Sequence, residues 1–119
     1  MSPVARIIIA VVALEHLGFL WLEMFQWTKP LGLKIFRNTP EAAASSRVLA
    51  MNQGLYNGFL AAGLAWALLM SGPEAVAVAR FFLSCVVVAG AFGAATVSLR
   101  ILFIQSLPAA AALVALALG

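Results

Sequence analysis

Four long apolar runs follow one another along the chain, with polar or turn-forming residues at their boundaries. Their approximate bounds are Val4–Trp27, Arg47–Met70, Glu74–Ser98 and Leu99–Leu118. A helix needs roughly 20 apolar residues to cross about 30 Å of hydrocarbon, and each run is of about this length. The pattern predicts an all-α fold, an integral membrane antiparallel four-helix bundle made by a single transmembrane domain over residues 1–119.

Turn-forming residues separate the runs. Lys29 and Pro30 stop the first run, Pro73 follows a tight turn, and Arg100 marks another. The connection from residue 29 to residue 46 is predicted to be a loop lying against the membrane interface. Pro108 is expected to kink the last helix.

Composition and charge support a membrane protein and indicate its orientation. Of the 119 residues, 65% are hydrophobic and 9% are charged, far from the composition of a soluble domain. Lysines and arginines are spread along the chain without forming a basic face, so we expect no nucleic-acid partner. Four of the seven, Lys29, Lys34, Arg37 and Arg47, flank the first connection, which predicts a cytoplasmic connection with both termini outside.

The first run carries ionisable side chains that are costly inside a bilayer. Glu15, His16 and Glu23 interrupt it, so we expect a retained span and not a cleaved signal peptide. At about 100° per residue, His16, Glu23 and Trp27 fall within about 20° of one another, while Glu15 points about 100° from His16. A polar stripe along the first helix is therefore predicted.

The second run carries amides and the only tyrosine in an otherwise apolar segment. These residues are Asn52, Gln53, Tyr56 and Asn57. Counting about 1.5 Å per residue from the cytoplasmic ends places Glu23 level with Asn52 and Gln53, and His16 level with Tyr56 and Asn57. Two polar sets are thus predicted to meet inside the bundle.

Two interpretations of this cluster stay open. In the structural one, amides and tyrosine join the two helices, each bond contributing about 0.6 kcal/mol. In the functional one, the ionisable groups, which exceed what helix pairing needs, exchange protons with a substrate in a dry site. The candidate catalytic residues are Glu23, His16 and Glu15; the candidate substrate-binding residues are Asn52, Gln53, Tyr56, Asn57 and Trp27.

Other features are secondary. Arg80 is expected to snorkel outward or pair with a carboxylate, with substrate contact as an alternative. Gly54 and Gly58, like the small residues at 89–94, favour close helix packing within the chain or in a homo-oligomer. One histidine without a second predicts no metal site. No nucleotide, haem or phosphate motif is present, so no cofactor is expected.

Two groups of residues are specific enough to indicate a family. They are Glu15-His16, Phe19, Glu23, Trp27 and Pro30, and the string Asn52-Gln53-Gly54-Leu55-Tyr56-Asn57-Gly58-Phe59. The chain resembles, over nearly its whole length, a family of small bacterial four-helix membrane proteins known as domain of unknown function 1304. The resemblance implies the fold and a multi-pass location in the bacterial inner membrane, and it implies no activity.

Three functions follow as hypotheses. The first is a cofactor-independent enzyme, an isomerase, cyclase or epoxide-opening hydrolase, which acts on a lipophilic small molecule in the lipid bilayer by Glu and His acid/base chemistry. The second is a proton- or cation-coupled small transporter working as an oligomer. The third is a structural or partner-binding membrane subunit.

Overall fold

The protein is all-α and has no strands. The computed structural model describes residues 1–119. Its helices are α1 (Pro3–Phe25), α2 (Pro30–Phe36), α3 (Pro40–Leu69), α4 (Gly72–Thr96) and α5 (Leu107–Ala117), with a π-helical segment at Leu102–Ser106 that leads directly into α5.

Proline and a hydroxyl side chain begin two of the long helices. Pro3 and Pro40 occupy the first positions of α1 and α3, where a missing backbone N–H costs nothing. Ser2 Oγ accepts a hydrogen bond from the backbone N–H of Ala5, and Thr39 Oγ1 accepts one from Ala42. Each hydroxyl satisfies one of the N–H groups that the first helical turn leaves without a partner.

The first connection differs from the predicted interfacial loop. Residues 30–36 form the helix α2, and α3 already begins at Pro40, seven residues before the start expected at Arg47. Pro30 and Pro40 are the first residues of these two helices, so each proline initiates a helix instead of only ending the one before it. The last connection agrees better, since α4 ends at Thr96 and the next helical residues follow a short turn. Near Pro108, the backbone adopts the π-helical segment in place of regular α-helix.

The chain forms two compact units, and α1 and α3 contribute to both. The first unit comprises residues 1–14 and 60–119. Its core is made of alanine, valine, leucine and isoleucine side chains, with Ile9, Leu64, Leu83 and Val86 among the largest that are fully buried. A glycine allows α4 to lie close to the π-helical segment, because a Cβ on Gly90 would overlap Ser106. The hydroxyl of Ser106 donates a hydrogen bond to Val87 O over 2.9 Å.

The second unit comprises residues 15–59, the end of α1, the whole of α2 and the first part of α3. Gly32 lets α2 pack on the end of α1, since a Cβ there would overlap the backbone carbonyl of Gln26. Arg37 ends α2 in the left-handed conformation, with φ of 56°. This unit contains most of the residues singled out in the sequence.

Apart from Arg6, the exposed residues of α1 are apolar, whereas those of a soluble helix are polar. Large apolar side chains are exposed at intervals of three or four residues along its whole length: Val4, Ile7, Val11, Leu14, Leu17, Trp21 and Phe25. His16 and Glu23 lie on the buried side of the same helix. A soluble helix has the opposite arrangement, with charged residues outward.

Two helices are long and apolar enough to cross a membrane by length and composition. They are α1 and α4, with 23 and 25 residues. The segment Leu102–Ala117 is apolar but shorter. Helix α3 has 30 residues and is more polar on average than α1.

Candidate functional site

A hydrogen bond between a carboxyl and an amide group joins α1 and α3 within the second unit. Asn57 Nδ2 on α3 donates to Glu23 Oε1 on α1 over 2.5 Å. Both side chains are buried. Since buried polar groups need hydrogen-bonding partners, the pair joins the two helices and also fixes the orientation of the carboxyl group.

Glycines allow the two helices to approach closely at this bond. A Cβ atom on Gly54 would lie 2.7 Å from Met24 Cγ and 3.1 Å from Glu23 Cβ, and one on Gly58 would lie 2.6 Å from Leu20 Cδ1. The close packing expected from the Gly54–Gly58 spacing is thus formed within the chain. It brings the backbone of α3 near enough for the short asparagine side chain to reach Glu23.

His16 lies on the same face of α1 as Glu23, two turns earlier and roughly 10 Å away along the axis. Its side chain is 0% exposed. The ring meets Phe19 edge to face, with centroids 5.1 Å apart and an interplanar angle of 70°. A molecule that contacts both the imidazole and the carboxyl group would therefore have to extend along about two helical turns.

Glu15 presents an unusual polar atom. The residue is half-buried, and its Oε1 is enclosed without a hydrogen-bonding partner. A buried carboxyl oxygen of this kind is rare and marks a place where a proton, a water molecule or a ligand group would be stabilised.

Three of the predicted substrate-binding residues are not brought together with Glu23. Asn52, Gln53 and Tyr56 are exposed on α3. Glu23 packs beside Gly54, next to Gln53, so the predicted level is nearly correct, but its hydrogen bond is to Asn57 and not to Asn52 or Gln53. Side chains lean toward the N-terminus of their own helix. In an antiparallel pair of helices, two side chains can therefore meet when their Cα atoms are about one turn apart along the axis.

Trp27 is engaged in a contact between helices. Its Nε1 donates to Ser46 Oγ over 3.1 Å, and Ser46 Oγ in turn donates to Ala42 O over 2.7 Å. The indole ring lies 4.7 Å from the ring of Phe36, centroid to centroid. Trp27 thus ties together the end of α1, α2 and the start of α3, and its contact with a substrate stays a prediction.

Ser46 is the partner that sequence reasoning missed, because it was assigned to a loop. Its spacing after Pro40 and Thr39, which begin a helix, was the available indication. Arg80 is exposed on α4, and its role with a substrate also stays a prediction. No three histidine, cysteine or acidic side chains lie close enough together in the structure to hold a metal ion.

We expect Trp27→Phe to weaken the contact of Trp27 with α2 and α3 without unfolding the second unit. The variant keeps the ring contact with Phe36 and loses the bond to Ser46, which should lower the free energy of unfolding by about 0.5–1.5 kcal/mol. Thermal unfolding in detergent, followed by size-exclusion chromatography, measures the loss. Trp21→Phe is the matched control because Trp21 is exposed on α1; equal losses in both variants would contradict the assigned role.

The fold and site define an all-α protein in which a buried carboxyl–amide pair joins two helices. Residues 10–117 match the family described as "Protein of unknown function (DUF1304)", and the chain belongs to this family. It is also similar to the uncharacterized protein YpaA of Lactococcus lactis subsp. lactis (strain IL1403), with 28% identity over 107 residues, which cover 88% of this chain and 89% of YpaA. No solved structure matches the chain. The family assignment confirms the resemblance seen in the sequence.

Proposed function

We propose that the protein is a multi-pass enzyme of the bacterial inner membrane that acts on a lipophilic small molecule by acid/base catalysis. The observation that carries the proposal is the buried Asn57–Glu23 hydrogen bond, formed on the inner side of a helix whose outer side is apolar. An ionisable side chain inside a membrane costs a few kcal/mol on insertion scales, which makes Glu23 a candidate functional group.

Membrane insertion explains why α1 exposes apolar side chains and buries His16 and Glu23. Continuous exposed apolar stripes are unfavourable in water and favourable in hydrocarbon. In the proposed arrangement α1, α4, the part of α3 from Arg47 onward and the segment Leu102–Ala117 cross the membrane as an antiparallel four-helix bundle. The basic residues of the first connection face the cytoplasm, and both termini lie outside.

Glu23 is the proposed catalytic group. Asn57 binds Oε1, which leaves the other carboxyl oxygen, Oε2, for proton transfer to a substrate. The amide prevents rotation of the carboxyl group and thereby fixes the direction of proton transfer. His16, two turns along the same face, is the second acid or base, at the distance spanned by an extended lipophilic molecule.

These groups suffice for a reaction without a redox change. In an isomerisation, one group removes a proton from a substrate carbon while the other delivers a proton elsewhere on the molecule, so atoms and charge balance. Cyclisation and epoxide opening likewise need a proton donor and a proton acceptor in a dry cavity. Glu15 is a third acid or base on the same helix.

A second candidate, proton- or cation-coupled transport, is favoured by one observation. The enclosed Oε1 of Glu15 has no hydrogen-bonding partner and would accept a proton or a cation. Detergent-solubilised protein separates the two functions: an enzyme forms its product in micelles, whereas a transporter needs two compartments. Product formation without a closed membrane would exclude transport as the main activity.

His16→Gln tests the enzyme proposal. Glutamine retains a polar side chain of similar size but cannot act as an acid or a base near neutral pH, so product formation should fall by about 10²-fold or more. Lipid extracts of cells that express the native chain or the variant are compared by mass spectrometry, with retention time included because an isomer has unchanged mass. A product that persists in the variant at the native level would contradict the role of His16.

A further inference from the structure

The polar residues and glycines of the string 52–59 are divided between two faces of α3. Asn57 and Gly54 face α1, whereas Asn52, Gln53 and Tyr56 are exposed, Tyr56 by 60%. At about 100° per residue, these last three fall within an arc of about 100°. We call this arc, defined by Asn52, Gln53 and Tyr56, the outer amide face.

Lipid does not satisfy the outer amide face. Each primary amide carries two donor hydrogens and an acceptor oxygen, and the phenol group carries one of each. Hydrocarbon tails offer neither donor nor acceptor, so side chains of this kind in membrane helices bond to polar groups of another helix. The partner must present donors and acceptors at the same depth.

We propose that the outer amide face is the contact between two copies of this chain. The proposal rests on the membrane insertion argued under the proposed function. Two copies inserted in the same orientation bring identical residues to identical depths around a twofold axis. Because amides donate and accept, Asn52 and Gln53 can bond to their own counterparts, and no other protein is needed to supply complementary groups.

The residues around the amides also suit helix pairing. Leu49 lies seven residues before Tyr56, about 20° from it around the helix, and is 73% exposed. A repeat of seven residues keeps a contact on one face of two parallel helices. Val48 lies at nearly the same depth and is 68% exposed, but points about 80° from Tyr56.

Cysteine cross-linking in native membranes tests this contact. The single native cysteine, Cys85, is first replaced by serine, and Leu49→Cys or Val48→Cys is then introduced. Under mild oxidation, Leu49→Cys should give a disulfide-linked dimer, and Val48→Cys should give much less. Equal cross-linking at the two positions, or none at either, overturns the proposal.

Removal of the amides gives the second measurement. Asn52→Ala combined with Gln53→Ala deletes at least two interhelical hydrogen bonds, so the association constant in lipid vesicles should fall about tenfold. The fold should persist because both side chains are exposed. If the double variant dimerises normally and has lost product formation, these residues bind substrate and the dimer proposal is wrong.

Alkaline carbonate extraction separates failure of this inference from failure of the membrane proposal. If the chain leaves the membrane pellet, the proposal of membrane insertion is wrong, and the dimer proposal, which rests on it, is wrong too. If the chain stays in the pellet and the two cysteine positions cross-link equally, only the dimer contact is wrong.

Discussion

Glu23→Gln is expected to lower the rate of product formation by about 10²–10⁴-fold while the protein stays folded. Glutamine retains an oxygen that can accept the hydrogen bond from Asn57, so the contact between α1 and α3 persists. It cannot take up or release a proton near neutral pH, so the proposed proton transfer is lost. The measurement is product formation by purified protein in detergent, normalised to the amount of protein in the monodisperse fraction.

Glu41→Gln is the matched control for this variant. Glu41 is exposed in the first turn of α3, and the same change of charge should leave product formation at the native level. If Glu23→Gln fails to insert and fold, the carboxyl–amide pair has a structural role and the catalytic proposal is wrong. A folded Glu23→Gln variant with native activity would exclude Glu23 as the catalytic group.

The helices were largely predictable because long apolar runs and their interruptions determine where helices can exist. Stops at Pro30 and Pro73 appear in the structure as the boundaries of α2 and α4. The start of α3 was misplaced because Pro40, Glu41 and the following alanines are polar or small and lie outside the apolar run. Apolar length detects a span, whereas a helix can extend beyond it.

The composition of the site was also predictable, but its geometry was not. Buried ionisable and amide residues stand out in an apolar chain, and Glu23, His16 and Asn57 are indeed buried. The depth of a residue along a helix, however, does not determine the direction in which its side chain points around the helix axis. The rotation of α3 about its axis decides which residues face α1, and this rotation depends on the close approach at Gly54 and Gly58.

This rotation changes the interpretation of the polar string at residues 52–59. A string of polar residues in one helix suggested a single site around Glu23, but its residues lie on two different faces of α3. The glycines and Asn57 contact α1, and Asn52 and Tyr56 point outward. The periodicity of the string alone could not assign these faces, because both are occupied by residues that form hydrogen bonds.

Gly54→Leu is expected to separate α1 from α3 and to disrupt the site. A Cβ at this position would lie 2.7 Å from Met24 Cγ and 3.3 Å from the carbonyl oxygen of Leu20, so a leucine side chain requires the two helices to move apart. Overpacking of this kind costs about 1–3 kcal/mol of folding free energy. Asn57 should then no longer reach Glu23, so product formation should fall together with thermal stability.

Gly18→Leu is the matched control, because it introduces the same side chain into a helix of the same unit. A Cβ on Gly18 meets nothing within 4 Å. Replacement of a glycine inside a helix also removes a conformational penalty of roughly 0.5–1 kcal/mol, so this variant should be at least as stable as the native chain. Thermal unfolding in detergent compares the two. If Gly54→Leu is as stable and active as Gly18→Leu, close packing at Gly54 does not hold Glu23 and Asn57 together.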